Sequence, residues 1–246
     1  MHLSYRDEQN ACSVWGSGHY RTFDGYTFNY QGQCTYALAL DCRPGEDDFA
    51  VHVENGVDCN AQKICSRAVV VYINDISHRI SSDSTFTKDD KKVTLPYADQ
   101  DVTVSRHAGY IYLDAWNGKL LVKYDGNDGV YVQVSKEFQK GICGLCGNNN
   151  GISTDDLLLP GGQQAKNPTE YGNSWAKPKF GQTCKPVTEE VDYCDSTNDL
   201  AKLLSETKCK ELKRSEVFTE CRKKVPYFSR NIQIQSLEFQ VLPLHC

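Results

Sequence analysis

The sequence predicts a mainly β protein: an antiparallel, β-sandwich-like domain followed by a small, disulfide-linked α-helical module at the C-terminus. Three observations predict it. Short β-branched and aromatic runs recur from Tyr26 to Val134, turn residues separate them, and after Cys184 the texture becomes Lys- and Glu-rich with apolar residues at helical spacing. At 246 residues, with 39% hydrophobic and 11% aromatic content, the chain has enough apolar material for a substantial core.

The runs are CTYALAL, FAVHVEN, AVVVYIN, VTVS, GYIYLDAW, KLLVKY and VYVQVS, in that order. They read as strands of an antiparallel meander. Asn117-Gly118 separates two of them and Asp125-Gly126-Asn127-Asp128-Gly129 the next two, and such residues supply the positive φ angles of tight hairpins. Beyond the meander, Lys177-Pro178-Lys179-Phe180-Gly181 reads as a connector. Leu200, Leu203 and Leu204, then Val217, Phe218, Cys221 and Val225, mark two short helices, with Ser196 or Thr197 capping the first and Ser215 the second. No internal repeat or low-complexity segment interrupts this order.

Twelve cysteines, an even number spread through most of the length, fit an oxidising compartment better than a reducing cytosol, so the chain is expected to be secreted or extracellular. The opening MHLSYRDEQNAC lacks the apolar stretch of a signal peptide and reads as an engineered start or the cut edge of a longer secreted precursor. No run is long enough to span a membrane, so no membrane insertion is expected. The Asn167-Pro168-Thr169 triplet carries the proline that forbids N-glycosylation. A net charge of −5 argues against a nucleic-acid partner, which calls for clustered Lys and Arg. Residues 194–224 hold eight Lys/Arg against six Asp/Glu, the balance of a solvated helix surface.

The stretch GICGLCGNNNGISTDDLL, residues 141–158, concentrates the chemistry. Cys143 and Cys146 have the spacing of a redox pair, but a working pair sits at a helix N-terminus after a parallel strand, whereas these follow an antiparallel meander and precede an Asn/Gly loop. Zinc would need a second ligand pair, and an even cysteine set in a secreted chain is more simply a set of disulfides. Asn148, Asn150, Asp155 and Asp156 are hard oxygen donors, and Gly151 allows a turn that brings in a carbonyl, that of Ile152. That donor set suits calcium. An ordinary Asx-rich turn without metal fits the same composition, and the spacing is not that of an EF-hand.

Three separated motifs in order, CSVWGSGHYRTFDGYTFNYQGQCTYALALDC, then GICGLCGNNNGISTDDL, then YGNSWA, resemble the von Willebrand factor type D domain of gel-forming mucins, zonadhesin, tectorins, Fc-binding mucus proteins and bone-morphogenetic-protein regulators. The resemblance divides the chain into an N-terminal flank at 1–11, the D domain at 12–184, and a partial or divergent C8-like module at 185–246. The last is carried by Cys209-x-x-Leu212, Val217-Phe218-x-x-Cys221 and Val225-Pro226-Tyr227, but no cysteine lies between Cys221 and Cys246 and the closing Cys-x-x-Asp-x-Cys pattern is absent.

The resemblance implies a Ca2+ site built from Asp24, Asn148, Asn150, the Ile152 carbonyl, Asp155 and Asp156. It also implies disulfides Cys12–Cys146, Cys42–Cys143, Cys34–Cys184 and Cys59–Cys65, with the pairing of Cys194, Cys209, Cys221 and Cys246 left open. Many such relatives carry Gly-Asp-Pro-His where this chain has Gly16-Ser17-Gly18-His19, and in some the Asp-Pro bond breaks spontaneously. Without Asp and Pro that cleavage is not expected, and His19 reads as a packed histidine rather than a catalytic one.

The function this implies is that of a calcium-stabilised, disulfide-rich structural or interaction module of a matrix, mucus or adhesive protein. It would bind extracellular proteins or its own kind. No convergent set of titratable residues marks an enzyme. Two other readings remain: a secreted luciferase-like oxidoreductase, since a few luciferases contain modules resembling this one, and redox-assisted multimer assembly through Cys143 and Cys146.

Overall fold

The computed structural model describes residues 11–188, except Ser17, residues 58–65, Phe180 and Gln182, together with Thr207. The chain divides into two compact units, Met1–Glu189 and Glu190–Cys246. The first holds every element below. The helices expected after Cys194, and the cysteines Cys59, Cys65, Cys194, Cys209, Cys221 and Cys246, lie outside the described residues.

Two antiparallel sheets form the domain. The seven-stranded sheet holds β4 (Thr35–Asp41), β5 (Phe49–Val57), β6 (Ser66–Ile73), β7 (Ile76–Ile80), β8 (Phe86–Lys88) and β9 (Lys91–Val93) in sequence order, with the two-residue β15 (Ile142–Cys143) added beside β4. The eight-stranded sheet runs β10 (Tyr97–Ala98), β11 (Val102–His107), β12 (Tyr110–Ala115), β13 (Leu120–Tyr124) and β14 (Val130–Val134). It continues through β1 (Cys12–Trp15), β2 (His19–Arg21) and β3 (Thr27–Asn29). The expected meander is therefore two meanders in separate sheets, one extended at its end by the chain's first three strands and the other by β15.

Hairpin chemistry explains the strand order. Asn74 and Asp75 have φ of 49° and 64°, Asp89 and Asp90 have 45° and 61°, and Ala108 and Gly109 have 49° and 82°. Two successive positive φ angles match the right-handed twist of adjacent strands, which is why these pairs close the β6–β7, β8–β9 and β11–β12 hairpins. At the β13–β14 connection, Asp125 Oδ1 accepts the backbone N–H groups of Asn127, Asp128 and Gly129 at 2.8, 3.0 and 2.9 Å. The side chain thereby replaces the ladder bonds that the turn interrupts.

Burial alternates along β12 and β13, with Ile111, Leu113, Ala115, Leu120, Val122 and Tyr124 inside. These residues join Val51, Val53, Val69, Val71 and Ile80 of the other sheet in one buried cluster, as a sandwich requires. In β4 the burial is nearly continuous, and both of its edges are occupied. β5 pairs on one side, while on the other β15 pairs with Leu40 and Asp41 and the Leu145 and Cys146 N–H groups donate to the Ala37 and Leu38 carbonyls at 3.0 and 2.8 Å. The stretch GICGLC is laid along a strand that would otherwise be an open edge.

A helix not expected from the sequence, α1 (Pro168–Ser174), completes the unit. Its start combines Asn167 Oδ1 accepting from the Glu170 N–H at 2.8 Å with Pro168 in the first turn. Each residue of the YGNSW motif has a contact. The Tyr171 hydroxyl donates to the Gly144 carbonyl at 2.6 Å, and Gly172 lies so close to Tyr30 that a Cβ there would sit 2.2 Å from its ring. Asn173 Oδ1 accepts from the Tyr30 hydroxyl and the Val187 N–H, and Trp175 Nε1 donates to the Leu158 carbonyl.

Candidate functional site

The tight turn between β2 and β3, Thr22 to Gly25, and the loop 147–156 meet at one end of the sandwich. The Thr22 N–H and hydroxyl both face the Tyr26 carbonyl, and the Phe23 N–H donates to the Cys146 carbonyl at 3.0 Å, tying the turn to the CGLC stretch. The turn then presents Asp24 to the loop. Its carboxylate accepts the Asn150 and Gly151 N–H groups, each at 2.9 Å.

Of the residues expected to hold a cation, Asp24, Asn148, Asn150, Asp155 and Asp156 are brought together. Asp155 accepts from the Asn148 and Asn150 carboxamides at 3.2 and 2.9 Å. Asn148 Oδ1 accepts the Asn150 N–H and Asn150 Oδ1 the Ile152 N–H. Asp156 is buried and accepts from the Thr22 hydroxyl at 2.6 Å and from the Asn148 N–H at 3.3 Å. Ile152 is 54% exposed and precedes the short 3-10 turn Ser153–Asp155. Among the described residues no group of three or more His, Cys, Asp or Glu side chains is gathered as a metal centre. The loop's oxygens face one another and the backbone.

The electrostatics are those of crowded negative charge. Burial pushes the Asp156 carboxyl up to about 7 against the Thr22 hydrogen bond that lowers it, and the neighbouring Asp24 carboxylate adds to the rise. Gly147, at φ 76°, makes this approach possible, since a Cβ there would meet Asp156 Oδ1 at 2.1 Å. Thr22 and Gly147 escaped the sequence reading. Their signal was present, for Thr22 belongs to the same TFDG motif as Asp24 and Gly147 follows Cys146 directly.

Beneath the loop the structure joins Cys12 to Cys146, Cys42 to Cys143 and Cys34 to Cys184. Cys143 and Cys146 are bonded to distant partners and not to each other, so the CxxC stretch holds no dithiol. At the other unusual motif, Gly18 has φ 119°, an angle closed to proline, and a Cβ there would lie 2.2 Å from the Tyr30 carbonyl oxygen. His19 is packed beside Trp15, with Nδ1 2.8 Å from Asn29 Oδ1. A Gly-Asp-Pro-His pattern is absent here, and Gly18 does not have the backbone conformation of a proline.

Residues 12–163 match the von Willebrand factor type D domain. The chain belongs to that family. This type D domain is 31% identical to Mucin-19 of Mus musculus over 227 residues, 88% of the chain and 3% of that protein. It is 35% identical to IgGFc-binding protein of Homo sapiens over 184 residues, 73% of the chain and 3% of the relative. With Alpha-tectorin of Gallus gallus it shares 34% identity over 205 residues, 78% of the chain and 9% of the relative. The chain thus spans a small fraction of the curated relatives it matches. Family membership together with disulfides that each close 101 or more residues makes this type D domain an extracellular, disulfide-rich one. No helix among the described residues is long and apolar enough to cross a membrane.

Proposed function

We propose that this type D domain is a calcium-stabilised interaction module of a mucus or matrix protein, acting by binding extracellular proteins or its own kind, and not an enzyme. One observation carries the calcium reading. Asp156 is a buried carboxyl beside a second one, Asp24, and its hydrogen-bond partners, Thr22, Asn148 and Asp24 itself, include no cation. Buried charge of one sign is unfavourable unless compensated, and a hard divalent cation compensates it with the oxygen ligands the loop supplies. Asp24, Asn148, Asn150, Asp155, Asp156 and the Ile152 carbonyl would hold it, and the ion would fix the loop against the β2–β3 turn.

The interaction role is supported by the architecture and by the company of the family. The disulfides lock the sheets, while the relatives include mucins and a protein named for binding IgG Fc. Calorimetric titration of the chelator-treated protein with Ca2+ tests the calcium reading. A single saturable site, weakened in Asp24→Asn and in Asp156→Asn, is expected, and absence of binding in the folded wild type would overturn it.

A further inference from the structure

We propose that Asn117 is a site of spontaneous deamidation, the one Asn-Gly pair of this chain whose carboxamide the fold leaves exposed and unheld. In this reaction the backbone nitrogen of the following residue loses its proton and attacks the asparagine side-chain carboxamide carbon. A C–N bond forms, ammonia leaves, and water then opens the five-membered imide at either carbonyl to give an aspartyl or isoaspartyl residue. No redox partner is needed. The step requires a small following residue, access to water and a carboxamide that can turn onto the backbone nitrogen.

The sequence has three Asn-Gly pairs, at 55–56, 117–118 and 150–151. Asn55 is held from every side: its Nδ2 donates to the Tyr20 hydroxyl and the Gly32 carbonyl, and its Oδ1 accepts from Arg67 Nε at 2.9 Å. Asn150 is equally committed. Its Nδ2 donates to Asp155, its Oδ1 accepts the Ile152 N–H, and the Gly151 nitrogen that would attack donates to Asp24.

Asn117 differs in its exposure and in its side chain. It is exposed at the tip of the β12–β13 hairpin, and its carboxamide has no hydrogen-bond partner among the described residues. The Gly118 N–H donates to Asp114 Oδ1 at 2.6 Å, a contact at the exposed hairpin tip that must open before this nitrogen can attack. The product matters to the fold. An isoaspartyl residue lengthens the main chain inside a turn closed by the Lys119 N–H on the Ala115 carbonyl at 3.2 Å, between the fully buried Ala115 and Leu120.

The test is peptide mapping with isoaspartyl-methyltransferase labelling of the intact protein held at 37 °C and mildly alkaline pH, beside a denatured, reduced control. The folded protein should accumulate label at Asn117 while Asn55 and Asn150 stay unmodified, and the denatured chain should label all three. Asn117→Gln should abolish the folded-state signal, and Asp114→Ala, which frees the Gly118 N–H, should speed it. Folded Asn117 converting no faster than Asn55 or Asn150 would overturn the proposal.

Discussion

The Thr22 hydroxyl donates to Asp156 at 2.6 Å, both residues being buried and 134 positions apart. This bond ties the β2–β3 turn to the acidic loop without any help from the backbone ladder. Leaving a buried hydrogen-bonding group without its partner costs about 1–3 kcal/mol, so Thr22→Val should lower unfolding free energy by about 2 kcal/mol, while Thr22→Ser should retain most of it. Urea unfolding of the three proteins under one buffer condition measures the difference.

The disulfides should differ in susceptibility to reductant. Cys12 and Cys146 are fully buried, whereas Cys42 is exposed and Cys143 half-buried. Limited reduction followed by alkylation should label Cys42 and Cys143 first. Forcing conditions should be needed for Cys12–Cys146, whose loss removes a closure of 134 residues that is worth on the order of 4–5 kcal/mol in the chain-entropy model. Recovery of a Cys143–Cys146 linkage from unreduced protein would contradict the assignment.

Helix α1 depends on a glycine for its seat. A Cβ at position 172 would enter the Tyr30 ring, and overpacking of this kind costs about 1–3 kcal/mol. Gly172→Ala should therefore destabilise the domain by about 2 kcal/mol, although the same change raises helix propensity. If chemical denaturation shows Gly172→Ala to be as stable as wild type, α1 is not packed against Tyr30.

Acid should weaken the domain through His52. Burial lowers its pKa from 6.5 to about 4, with Lys177 adding to the fall and Glu54 opposing it, and Tyr72 packs against the ring. A base with a depressed folded-state pKa binds fewer protons folded than unfolded between those two values. Its contribution is whole above pH 6.5 and is lost as pH falls toward 4. His52→Gln should flatten the dependence of unfolding free energy on pH across that window, and an unchanged slope would show that His52 is protonated in the fold.

The strands whose runs are long and apolar were legible in the sequence, because Val, Ile and Tyr alternation survives whatever the tertiary context. β8, β9 and β10 are two or three residues each, and the turns joining β6 to β7 and β8 to β9 lack glycine, so neither signal stood out. The start of α1 is hard to read from the sequence for a different reason. Asn167-Pro168-Thr169 drew attention as a blocked glycosylation site, while the same residues with Glu170 form a helix start. The donor residues of the loop were recognisable by composition and by family resemblance. The closeness of Thr22 and Gly147 to Asp156 was not, since it is created by a turn more than a hundred residues upstream and by the absence of a Cβ.

The calcium reading is tested most directly by thermal unfolding of the wild type and of Asp156→Asn, each with excess Ca2+ and with excess chelator. A ligand that binds only the folded state at a hundred times its dissociation constant stabilises by about 2.7 kcal/mol. The wild-type midpoint should therefore fall by several degrees on chelation, and Asp156→Asn, with less negative charge to compensate, should unfold at nearly the same temperature in both buffers. A wild-type midpoint indifferent to chelator would show that the acidic loop is held by its own hydrogen bonds, and would contradict the account.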